Sequence, residues 1–135
     1  MDLVDTMHIS AAGMRAQSDR LRVVSQNIAN ADSVGTRAGD LPYRRQTISF
    51  KDSVDRETGL KLVGVNRISG DNSEFPRKYE PTNPNADPQG YVFYPNVNPI
   101  IETIDMREAR RGYEANLDVI QASKSMLSQT INLLR

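Results

Sequence analysis

Helix breakers are confined to the middle of this chain, and that constrains its fold more than any other feature. All seven prolines lie between Pro42 and Pro99, and six of the eight glycines lie between Gly35 and Gly90. Proline removes a backbone donor and clashes with the preceding helical turn, and glycine loses the most backbone freedom on ordering. The two ends are therefore open to long helices, while the centre is restricted to short strands and loops. Only Gly13 and Gly112 fall outside the central zone. In a helix interior each costs about 1 kcal/mol against alanine.

Apolar periodicity agrees with this division. Alternating steps of four and three through residues 3–30 visit Leu3, Met7, Ser10, Met14, Gln17, Leu21, Val24 and Ile28, then reach Ala31. Most of these are apolar, and Asp19, Arg20, Arg22, Gln26 and Asn27 fall between them, so the segment reads as an amphipathic helix. The same stepping from Met106 visits Ala109, Tyr113, Leu117, Ile120, Lys124, Leu127, Ile131 and Leu134, broken only at Lys124, whose stem can lie along apolar surface. Asn98 is suited to cap this second helix, and Pro99 fits its first position, where the missing N–H is harmless. At ~1.5 Å per residue the two helices are roughly 42 and 54 Å long.

The expected fold is mainly α. Residues 1–31 and 98–135 form paired terminal helices packed as an antiparallel coiled-coil hairpin, and residues 32–97 form a small irregular and β central segment. Thr47–Phe50, Leu60–Val65 and Tyr91–Tyr94 are the candidate strands. Thr58-Gly59 is the turn between the first two, the alternation slips phase near Gly64, and 71–89 reads as irregular. Helices this long need neighbours, because helical stability in water comes mainly from packing an apolar face. A hairpin covers one side of each helix and leaves Ala11, Ala12, Ala16, Ile100, Ile101, Val119 and Ala122 wanting further contact. Either a closed dimer or an open assembly of copies satisfies that need.

Composition excludes most chemistry. The chain has 135 residues, which suits one modest domain, and 17 basic and 17 acidic side chains balance overall and within each segment. Nucleic acid is not the expected partner, because phosphate binding needs excess lysine and arginine. With no cysteine and a single histidine, His8, there is no thiolate zinc site and no catalytic constellation. Asp52, Asp55 and Glu57 lack the spacing of a calcium loop. No catalytic, cofactor or metal site is assigned. No apolar run is long enough to span a membrane, and the acidic start Asp2-Leu3-Val4-Asp5 is unlike a secretory signal. An enzyme carried by the central segment has almost nothing in its favour. A soluble coiled-coil adaptor or chaperone-like binder is the alternative to an assembly subunit.

Several short motifs then carry a resemblance. The first helix contains Ile9-Ser10-Ala11-Ala12-Gly13-Met14 and ends in Asn27-Ile28-Ala29-Asn30-Ala31-Asp32. Tyr43-Arg44-Arg45 follows. The centre holds Tyr79-Glu80-Pro81, Asn83-Pro84, Gly90-Tyr91-Val92 and Pro95-Asn96-Val97-Asn98-Pro99. The last helix holds Tyr113-Glu114-Ala115-Asn116 and Ala122-Ser123-Lys124-Ser125-Met126. This pattern resembles the basal-body rod proteins of the bacterial flagellum over essentially the whole chain, and among them a proximal-rod subunit. It departs from the family at Ser33–Pro42, which intervenes before Tyr43, and at Asn83, where histidine is commoner.

The resemblance implies a structural subunit exported unfolded by the flagellar type III apparatus, without a cleaved signal. It implies assembly with other rod subunits and copies of itself into a hollow helical rod that crosses the periplasm and carries torque. The terminal helices would line the inner tube. Packing or inter-subunit contact is accordingly expected at Leu3, Met7, Met14, Leu21, Val24, Asn27, Ile28, Asn30, Tyr113, Asn116, Leu117, Ile120, Leu127, Ile131 and Leu134. Asn27 and Asn30 could instead belong to a fraying helix end. Arg44 and Arg45 could meet acidic groups of a neighbour or lie on an exposed strand edge.

Overall fold

In a computed structural model, which describes residues 2–134, helix α1 spans Leu3–Ala29 and helix α2 spans Pro99–Leu133. Both starts are capped by their own sequence. Before α1, the Asp2 carboxylate accepts the Leu3 amide, and the Asp2 amide donates back to Asp5 at 3.0 Å, a reciprocal capping arrangement. Before α2, the Asn98 side chain accepts the Ile100 amide at 3.0 Å, and its carbonyl accepts the Glu102 amide. Pro99 takes the first helical position, as its spacing from Asn98 predicts.

Four strands lie between the helices: β1 (Gln46–Val54), β2 (Lys61–Gly70), β3 (Arg77–Tyr79) and β4 (Tyr91–Phe93). β1 and β2 form one two-stranded sheet, and β3 and β4 form another. Side chains of β1 reach β2 carbonyls in opposite order, Thr47 to Ser69, Ser49 to Arg67 and Ser53 to Leu62. The hairpin closes where the Asp55 amide meets the Leu60 carbonyl, and Gly59 supplies the positive φ of 69°. The exposure pattern of β2 changes phase at Gly64–Val65. Both strands run longer than their apolar cores suggest, since polar side chains on an exposed hairpin do not interrupt its backbone ladder.

β3 falls in the stretch expected to be irregular. It is three exposed residues set between Pro76 and Pro81, too short and too polar to show alternation. It forms because β4 offers a partner: Arg77, Lys78 and Tyr79 pair antiparallel with Phe93, Val92 and Tyr91. Gly90, at φ 86°, turns the chain beneath Tyr79, and a Cβ there would come within 2.9 Å of that ring.

The chain divides into two compact units. One gathers the stretch up to Leu21, Ile48–Arg67 and the stretch from Arg107; the other gathers Arg22–Thr47 and Ile68–Met106. The first has a core of small groups, with Ala16, Ala109, Ser10 and Ser123 buried. The second buries Val23, Val24 and Val92 together with Asn27 and Glu102. Among the described residues no helix is long and apolar enough to cross a membrane.

Candidate functional site

In the first unit the two glycines that escaped the central zone mark where the helices approach most closely. A Cβ on Gly13 of α1 would lie 2.9 Å from the Asn116 amide of α2, and one on Gly112 of α2 would lie 3.2 Å from the Gln17 side chain of α1. Arg20 continues the series by pairing with Glu108 at 3.1 Å. As α1 numbers rise through 13, 17 and 20, their α2 partners fall through 116, 112 and 108. Asn116 is oriented by donating to the Gly112 carbonyl at 2.8 Å. The expected helix cost of each glycine is thus the condition for close contact.

The predicted apolar stripe is partly covered and then abruptly uncovered. Leu3, Met7, Met14, Leu21 and Ile28 are half-buried and Val24 is buried. Tyr113, Leu117 and Ile120 of α2 are half-buried as well, and Ala109 is fully buried. Beyond Ile120 the stripe assignment needs a correction. The buried position is Ser123, not Lys124, because a strict 3.5-residue step drifts against a helix of 3.6 residues per turn. Leu127, Ile131 and Leu134 are then 37%, 57% and 84% exposed in the single chain, with Met126 and Leu133 exposed beside them. Apolar surface therefore stays open to solvent along the last turns of α2, increasingly so toward its end.

The second unit is organised around a buried amide. Asn27 is 1% exposed and uses its full hydrogen-bonding capacity. Its Nδ2 donates to the Gln46 carbonyl at 2.8 Å and to Glu102 Oε2 at 3.0 Å. Its Oδ1 accepts the Gln46 amide at 2.9 Å and the Tyr43 hydroxyl at 3.0 Å. Burial, reinforced by the nearby Glu102 charge, pushes the Tyr43 phenol above its ordinary pKa, which keeps it a donor. Within the chain Asn27 thereby links the end of α1 to α2, since Glu102 sits in the first turn of α2. Asn30, by contrast, bonds locally, to the Gln26 carbonyl and to Ser33, as at an ordinary helix end.

Glu102 is the residue that sequence reasoning missed. It is fully buried, the largest such side chain among the described residues. Arg45 Nε donates to its Oε1 at 2.5 Å, and Arg45 also reaches Asp71 at 3.4 Å and Asp105 at 3.9 Å. Burial works against the Arg45 charge, but the bonds to Glu102 and Asp71 outweigh it and raise its pKa. The Arg45 amide is held by Asn96, whose Nδ2 bonds the Asp71 carbonyl and Ser73. Arg44 donates to the carbonyls of Asp71 and Ser73 and stacks on Phe75. Neither arginine lies on a bare strand edge, and the acidic groups that Arg45 meets belong to its own chain. An acidic residue amid Ile100, Ile101 and Ile104 was the visible signal; its burial depends on Arg45, remote in sequence.

His8 is exposed, and among the described residues no cluster of His, Cys, Asp or Glu could hold a metal ion. The geometry is that of a packed and partly uncovered structural element.

Comparison with known proteins agrees with that geometry. The flagella basal body rod protein family matches residues 7–36, and the flagellar basal body rod FlgEFG protein C-terminal family matches residues 89–133. The flagellar basal-body rod protein FlgC of Agrobacterium fabrum is 46% identical, over 94% of this chain and 91% of that protein. FlgC of Salmonella typhimurium is 41% identical over 98% of both chains, and FlgC of Bacillus subtilis is 33% identical over 98% of this chain and 99% of its own. Identity at this level, sustained over nearly the full length of each relative, places the chain in the flagellar basal-body rod protein family, in its FlgC group.

Proposed function

We propose that the chain is a structural subunit of the flagellar proximal rod, and that it polymerises through its terminal helices into a hollow helical shaft carrying torque from motor to hook. Beyond family membership, the observation that carries this reading is the uncovered row Leu127, Ile131 and Leu134. Burying each such side chain against a neighbour contributes roughly 1.5–3 kcal/mol, enough over several subunits to offset the ordering entropy of a helix end. It is a structural protein and not an enzyme.

The close approaches at Gly13 and Gly112 support an antiparallel helical hairpin as the assembling element. Its partners are other rod subunits and copies of itself. The subunit reaches the basal body through the flagellar type III apparatus, without a cleaved signal.

The test is genetic. A strain lacking the gene is expected to build no complete rod, and complementation with Leu127→Asp or Ile131→Asp is expected to leave it non-motile. Complete rods in the deletion strain, or normal swimming with both variants, would remove the basis of this reading. A purified chain that forms a discrete dimer with both ends resistant to proteolysis would favour the adaptor alternative instead.

A further inference from the structure

The two arginines neighbouring one another in sequence are treated very differently by the fold. Arg45 is surrounded by carboxylates, whereas Arg44 has no ion pair among the described residues. Arg44 lines an open groove of about 540 Å³ in the second unit, together with Leu41, Ser73, Phe75, Arg77 and Phe93. Arg77 has no ion pair among the described residues either. Both guanidinium groups lie over aromatic rings. Arg44 lies 4.3 Å from the Phe75 centroid and Arg77 lies 5.1 Å from that of Tyr91.

Arg44 is the better anchored of the two. Its Nη1 is bound to the carbonyls of Asp71 and Ser73, and Gly70 leaves room for its stem, since a Cβ there would come within 2.9 Å of Arg44 Cδ. A guanidinium has five N–H donors, so Nε and the second amino nitrogen remain for a ligand. Arg77 is fixed by strand pairing opposite Phe93. The one carboxylate lining the groove, Glu74, is exposed and unpaired among the described residues. Leu41, 71% exposed, adds an apolar lip.

We propose that this groove binds an extended acidic peptide segment of a partner protein, its carboxylates bonded by Arg44 and Arg77 and an apolar side chain seated against Leu41 and Phe93. Planar guanidinium groups suit carboxylates, which they can bind through two parallel bonds. The apolar lip favours a peptide over a small inorganic anion.

The test uses the full-length chain, nitrogen-15 labelled, titrated with an acetylated heptapeptide of alternating glutamate and leucine. Shifts are expected at the amides of Leu41, Tyr43, Arg44, Asn72, Ser73, Glu74, Phe75, Arg77 and Phe93. Arg44→Gln and Arg77→Gln should each weaken binding at least tenfold, the effect of losing one charge-assisted contact, and Leu41→Ser should weaken it severalfold. Arg56→Gln, on the exposed hairpin tip, should bind as the parent does. The spectrum of each variant reports whether it has folded, and the Leu41→Ser chain provides an independent reading should an arginine variant unfold. No shift at millimolar peptide, equal binding of the lysine–leucine counterpart, or inorganic phosphate matching the peptide at the same residues would overturn the proposal. The experiment needs only the free chain, so its failure would leave the rod reading untouched.

Discussion

Replacing Asn27 by alanine tests the central unit most directly. Four hydrogen bonds disappear with the amide: two to the backbone of Gln46, one from the Tyr43 hydroxyl and one to Glu102. Glu102 keeps Arg45, and a phenol can rotate toward solvent. The Gln46 N–H and C=O are the groups with no substitute. A buried backbone group left unmade costs about 1–3 kcal/mol; Gln46 is half-buried, so its two groups cost about 1 kcal/mol each and, with the small void left behind, the loss is about 3 kcal/mol in total. That is a large part of a stability of about 5–15 kcal/mol.

Urea unfolding followed by far-ultraviolet circular dichroism measures the loss, and hydrogen exchange at the Gln46 amide locates it. Asn27→Asp sharpens the test. It keeps the two acceptor bonds but sets a second carboxylate where the amide lies 3.0 Å from Glu102. It should be at least as unstable as the alanine variant near neutral pH and should recover partly in mild acid. If Asn27→Ala stays within about 1 kcal/mol of the parent with Gln46 still protected, the amide is not organising this unit.

Three further outcomes follow from the structure. Gly13→Ala removes a helix penalty of about 1 kcal/mol but presses a methyl against Asn116, so it should destabilise the parent chain while stabilising an Asn116→Ala chain; an equal effect in both backgrounds would deny the close approach. Ile131→Asp should leave the unfolding free energy of the dilute chain, from urea titration, within about 0.5 kcal/mol of the parent, because that side chain is 57% exposed, and a large loss would mean the chain itself covers it. Asp71, Asp55 and Glu80 are held below the usual carboxylate range, Asp71 and Asp55 chiefly by backbone amides and Glu80 by Asn83 and Tyr94. Their folded pKa values lie below the unfolded ones, so their stabilisation is complete above the ordinary carboxylate value and is lost as pH falls through the folded value; urea titrations at decreasing pH should show this, with a flatter acid limb in Asp71→Asn.

What could be read in advance was what depends on local sequence. The confinement of proline and glycine to the centre left both ends to helices, apolar periodicity located them to within a residue or two, and Asn98-Pro99 marked the start of α2. β3 was illegible because its cause is β4, not its own residues. Asn27 drew attention as a polar residue near a helix end, but the bonds it makes come from Tyr43, Gln46 and Glu102, and no spacing rule joins those positions. Glu102 was harder still, since a carboxylate is buried only where another part of the chain brings it a cation. Gly13 and Gly112 looked like defects, because a close approach is a property of two helices and each sequence shows one.

The pairing of Asn27 with both backbone groups of Gln46 has a consequence for how the chain tolerates changes of length. A side-chain amide presents a donor and an acceptor side by side, much as a peptide group does, so a helix residue serves as the first rung of the β1 ladder. The hairpin is thereby indexed from its root. One residue added between Gln46 and the turn would exchange the two faces of everything beyond it. One added at the tip, between Asp55 and Leu60, leaves the count from the root unchanged. A one-residue insertion should therefore be tolerated better at the tip than beside Gln46.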